Sequence, residues 1–109
     1  MGFISNLFVG KEIKDLQPLM FQISDSLTSF CEDCEKNDYV TTQGQIYANQ
    51  FSEAFKRMKA EMANMSELKQ RSIRVAPQGR DISLYNHMIE IENVVYEIER
   101  EFGQKIFYI

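Results

Sequence analysis

Three stretches of this chain carry apolar side chains three or four residues apart, and a chain so patterned is committed to amphipathic helices that must each bury one face. In the first stretch Leu16, Leu19, Met20, Ile23, Leu27, Phe30, Cys31 and Cys34 fall on one stripe. The second stripe holds Ile46, Tyr47, Phe51, Ala54, Phe55, Met58, Met62, Met65 and Leu68, and the third holds Leu84, Tyr85, Met88, Ile91, Val94, Val95, Ile98 and Phe102. Helices are therefore expected over 16–36, from the mid-forties to 70, and from the low eighties to 102. The punctuation agrees. Pro18 sits in a first turn, where a missing N–H is tolerated, and Asp15, Thr41 or Thr42, and Asp81 or Ser83 are natural N-caps. Gly103 suits the left-handed residue past a helix end.

Between the second and third helices, Pro77 and Gly79 exclude regular helix, while 72–75 and the terminal 105–109 have strand character. Pairing those two segments would give a small ribbon. At the start of the chain Phe3, Ile4, Leu7 and Phe8 recur at helical spacing up to Gly10, which reads as a short amphipathic helix packed on the rest. The expected fold is all-α: a three-helix antiparallel bundle with a short N-terminal amphipathic helix and a two-stranded β ribbon joining 72–75 to 105–109. A chain of 109 residues buries one core, so residues 1–109 are read as a single helical domain.

With a formal net charge of -4, the molecule as a whole repels phosphate backbones and anionic lipid, so nucleic acid and membrane are disfavoured as partners. The sequence has no apolar run of the ~20 residues that cross a bilayer and no signal-peptide pattern, which makes a cytoplasmic location the expectation. Ile89 and Tyr96 add apolar surface outside the main stripe of the third helix. A second copy would cover them, and a homodimer is expected on that ground.

Cys31-Glu-Asp-Cys34 is the stretch that most resembles reactive chemistry. Both cysteines fall on the first apolar stripe, near the helix carboxyl end and beside Glu32, Asp33 and Glu35, all of which disfavour a thiolate. The expectation is a pair of core thiols. As metal ligands Cys31 and Cys34 are weak candidates, because tetrahedral zinc needs four donors and His87 is the only other usual nitrogen or sulfur ligand. No cofactor is expected.

Charge is distributed unevenly. Lys69, Arg71, Arg74 and Arg80 form a cationic loop, followed by the acids Asp81, Glu90, Glu92, Glu97, Glu99 and Glu101, with Arg100 the lone base among them. Loop and helix are expected to complement one another, within a molecule or between neighbours. Met58, Met62 and Met65 recur at four and three residues, as core filling or as an adaptable docking face. The candidate partner-binding residues are thus Met58, Met62, Met65, Arg71, Arg74, Arg80, Glu90, Glu97 and Glu101.

His87 is the single histidine and the natural general base of any unaided hydrolase. The stretch "RDISLYNH", Arg80 to His87, resembles the Arg-x6-His motif of HEPN-domain ribonucleases, small helical proteins that often dimerise and bring two such motifs into a cleft. That resemblance implies His87 as acid/base, Arg80 as the phosphate-steadying cation, and a metal-independent ribonuclease or toxin–antitoxin component. The residues read on their own terms offer no nucleotide loop, metal cluster or nucleophile elbow. They point to a non-enzymatic helical module for protein–protein interaction: an accessory subunit, adaptor or inhibitor of a larger protein, in its sharpest form one whose acidic helix imitates phosphate charge.

Overall fold

A computed structural model describes residues 16–109, and the expectations for Phe3, Ile4, Leu7, Phe8 and the cap Asp15 lie outside the described residues. The elements run in the order α1 (Gln17–Asn37), α2 (Thr42–Met62), α3 (Glu67–Ser72), β1 (Arg74–Val75), a 3-10 turn (Pro77–Gly79), β2 (Ile82–Ser83) and α4 (Leu84–Phe102). This is the expected helical bundle with a small ribbon.

The helix ends follow from the residues that stand there. Pro18 lies in the first turn of α1, and Asp38 closes that helix in the left-handed region, its N–H donating to Cys34 O at 2.7 Å. Thr41 caps α2: its Oγ1 accepts from Gly44 N at 2.8 Å while its hydroxyl donates to Asp33 Oδ2 at 2.5 Å, tying the new helix to the old. Ser83 caps α4 by accepting from Asn86 N at 3.1 Å, and Gly103 ends it at φ 66°.

The four-residue link makes α1 and α2 an antiparallel hairpin, and α4 runs in the same direction as α1, so that the amino halves of α1 and α4 share one groove and their carboxyl ends share another. Phe30, Phe51, Phe55, Met58, Leu84 and Val95 are completely or almost completely buried at the centre. Burial of side chains this large, each worth ~1.5–3 kcal/mol against exposure, is what drives the three stripes together.

Three details depart from the sequence reading. The second helix stops at Met62 rather than near residue 70: a turn intervenes, Ser66 caps α3, and the Gln70 amide reaches back to donate to Met62 O at 2.8 Å and Met65 O at 3.2 Å. The freed carbonyls are satisfied by a side chain, and the rotation leaves Leu68 79% exposed instead of in the core. The ribbon forms, but β1 pairs antiparallel with β2, Arg74 opposite Ser83 and Val75 opposite Ile82, not with 105–109. A close local partner across a tight turn costs less chain entropy than one thirty residues away.

The terminal segment docks internally instead, without strand pairing. Ile106 and Phe107 are wholly buried, and the Phe107 ring stands edge-on to Phe30 at 4.9 Å and Phe51 at 5.3 Å between ring centroids. The backbone is held by side chains. Ile106 N and Phe107 N donate to Glu99 Oε2, Tyr108 N donates to Ser52 Oγ at 3.0 Å, and Ile106 O accepts from Gln45 Nε2 at 2.9 Å.

Candidate functional site

Arg80 and His87 converge, and an acid that the sequence reading assigned to partner binding joins them. The 3-10 turn Pro77–Gly79 delivers Arg80 to the amino half of α4, where its Nη1 and Nη2 donate to the two oxygens of Glu90 at 3.0 and 2.7 Å. Glu90 lies one turn beyond His87, and its Oε1 stands 3.7 Å from His87 Nδ1, an electrostatic contact too long for a hydrogen bond. The bidentate guanidinium holds the Glu90 carboxyl below the ordinary range. Burial pushes the His87 imidazolium down, and the neighbouring Arg80 charge acts the same way, against the partial pull of Glu90. The ring is therefore neutral near neutral pH.

His87 and Arg80 face a cavity of about 280 Å³ between α1, the Pro77–Gly79 turn and α4. Its floor is apolar, from Met20, Ile23, Leu27 and Ile91, with Ser24 and Thr28 on the α1 side. Nothing in residues 16–37 marks that helix as half of a site. Two sequence signals bear on the cluster, the Arg-x6-His spacing that joins Arg80 to His87 and the i,i+3 spacing of His87 and Glu90; the ten-residue reach from Arg80 to Glu90 depends on the turn geometry.

The other two arginines of the cationic loop are also matched. Arg71 pairs with Glu67 at 2.9 Å and its guanidinium lies 4.0 Å over the Tyr85 ring, and Arg74 pairs with Asp81 at 3.1 Å. The cationic loop thus complements α4 through Arg80 and Tyr85, while Arg71 and Arg74 find acids closer to hand. As exposed pairs these add little stability, at most ~1 kcal/mol each. The methionine row requires a correction as a partner-binding face: Met58 and Met62 are buried in the core and Met65 is half-buried, so no partner reaches the first two without unpacking the bundle.

Of the two expected core thiols, Cys34 packs against the core, and Cys31 requires a correction. Cys31 is exposed and Cys34 half-buried, both unpaired thiols, because α4 and the tail cover the Phe30 side of α1 but not its neighbour 100° round the helix. Partial burial raises the pKa of both thiols first of all; Glu35 and Glu32 add to the effect at Cys31, and Cys31 and Asp33 at Cys34. They line a groove of about 470 Å³ between the carboxyl ends of α1 and α4, over an apolar floor of Phe30, Ile98 and Phe102 and beside Glu35, Asp38 and Glu101. Among the described residues, no lysine or arginine lines it. Glu97, one turn before Glu101 on α4, is also exposed.

Among the described residues, no three His, Cys, Asp or Glu side chains are arranged to hold a metal ion, and no helix is long and apolar enough to cross a membrane. Compared with known proteins, the chain matches no family model, no curated protein and no solved structure.

Proposed function

We propose that the protein is a non-enzymatic helical interaction module, an accessory subunit, adaptor or inhibitor, that receives a basic segment of a larger, nucleic-acid-binding protein in the groove between the carboxyl ends of α1 and α4. The observation that carries this reading is the pairing of an apolar floor, Phe30, Ile98 and Phe102, with the carboxylates of Glu35, Asp38 and Glu101 and, among the described residues, no lining cation. Those three acids enter none of the ion pairs among the described residues, which are made by Glu67, Asp81 and Glu90. A partner carrying Lys or Arg on an apolar segment would bury its stem against the rings and set its charge among the acids. The module acts in the cytoplasm on this reading, and a second copy covers Ile89 and Tyr96, which are 42% and 46% exposed on another flank of α4.

A second reading, the metal-independent ribonuclease, is favoured by the convergence of Arg80 and His87 on one cavity. It has two obstacles: the Arg80 guanidinium is already taken by Glu90, and a phosphate would have to displace that carboxylate against like charge. Incubating the protein with RNA, wild type against His87→Ala, separates the readings. The binding reading expects no cleavage from either protein, and histidine-dependent cleavage overturns it.

A further inference from the structure

The cavity between the amino halves of α1 and α4 has the anatomy of a ligand site rather than of a packing defect. Apolar side chains from two helices, Met20, Ile23, Leu27 and Ile91, make its floor, and the polar groups of Ser24, Thr28, Arg80 and His87 gather at its edge. One wall is held in a costly conformation. Gln78 stands at φ 54°, in the left-handed region that a side-chain-bearing residue seldom adopts, and Gly79 follows at φ 80°. The far end of that turn is tethered to α4 by the two Arg80–Glu90 hydrogen bonds, made between solvent-facing side chains.

The polarity of a fitting ligand follows from the charges. Arg80 is matched by Glu90 through both terminal nitrogens, and the imidazole is neutral near neutral pH. An ion entering the cavity would lose water and find no free countercharge among the described residues that line it, whereas an uncharged molecule loses little. Hydrogen-bond polarity is set by His87. Among the described residues its Nδ1 is enclosed without a hydrogen-bond partner, and it faces the Glu90 carboxylate at 3.7 Å. Two lone pairs in that position would repel, so the ring proton belongs on Nδ1. With Nδ1 enclosed, the polar ring atom left for a ligand is Nε2, which in that tautomer is an acceptor.

We propose that this cavity is a binding site for a small uncharged molecule with an apolar body and one O–H or N–H donor, the donor being accepted by His87 Nε2. The site is distinct from the acidic groove of the interaction reading and stands without it. It also differs from the ribonuclease reading, in which the same histidine would meet a phosphate ester.

The test uses the full chain, labelled with nitrogen-15 and titrated separately with phenol, benzene and benzoate while amide resonances are followed. Phenol is expected to give saturable shifts in α1 around Ser24 to Thr28 and in α4 around His87 to Ile91. Benzene should bind the same region about tenfold more weakly, the worth of one hydrogen bond, and benzoate more weakly than phenol. In His87→Phe the preference for phenol over benzene should vanish, and in His87→Gln, which keeps an acceptor, part of it should return. Equal binding of phenol and benzene by the wild type overturns the proposal, as does stronger binding of benzoate, or the absence of saturable shifts at those residues. The wild-type comparison decides even if a variant fails to fold.

Discussion

One oxygen of Glu99 accepts the backbone N–H groups of Ile106 and Phe107 together, at 2.9 and 2.8 Å, so a helix side chain stands in for the strand that the terminal segment does not pair with. Two donors beside the core depend on this carboxylate. Glu99→Ala should lower unfolding free energy by about 2–3 kcal/mol, and Glu99→Gln, which keeps a carbonyl acceptor, by roughly half that. Urea unfolding followed by circular dichroism measures both.

Phe107 closes the aromatic cluster with Phe30 and Phe51 and is completely buried, whereas Tyr108 beside it is 55% exposed. Phe107→Ala should therefore cost about 3–5 kcal/mol, with a cavity left among the rings. Tyr108→Ala keeps the backbone N–H that Ser52 accepts and should cost less than about 1 kcal/mol. Equal losses in the two variants would mean that the tail is held by its backbone rather than by its packing.

His87 ties stability to pH in a defined direction. Burial lowers its pKa below the ordinary 6.5, so the unfolded chain binds the proton more readily, and stability falls as pH drops below 6.5 until the lower folded-state value is passed. Glu90 acts in the same direction further down, since its pKa is held below the ordinary 4.5 and its contribution is lost as pH falls through the lowered value. Melting temperatures measured at about pH 7 and about pH 5.5 should show a drop in the wild type. That drop should shrink in His87→Gln, where the carboxylates are unchanged.

What the sequence made legible, and what it did not, divides along physical lines. Helix positions and caps are local, and Thr41, Ser83 and Gly103 stand where spacing and chemistry put them. Breaks that depend on a distant or competing side chain were not legible. The second apolar stripe ran on to Leu68, but Ser66 capping a new helix and Gln70 satisfying the old one split it at Met62. Cys31 sits beside Phe30 in the sequence, and periodicity with adjacent pairs does not decide which of two neighbours the rest of the fold will cover. The cluster of Arg80, His87 and Glu90 was partly visible: the Arg-x6-His spacing paired the first two, and Glu90 was singled out only for its charge. Their assembly needed the turn at Pro77–Gly79, and the α1 half of the cavity had no chemical signature at all.

The central claim, that the acidic groove receives a basic apolar segment, is tested most directly by fluorescence anisotropy with a labelled amphipathic peptide carrying Lys and Leu at helical spacing, against the same peptide with Glu for Lys. The wild-type protein should bind the Lys peptide with an affinity that falls as salt rises. The combined change Glu35→Lys, Asp38→Lys, Glu101→Lys should weaken that binding by about tenfold or more, from three charge contacts worth up to ~1 kcal/mol each. Equal binding of the two peptides, or an unchanged affinity in the triple variant, would contradict the claim.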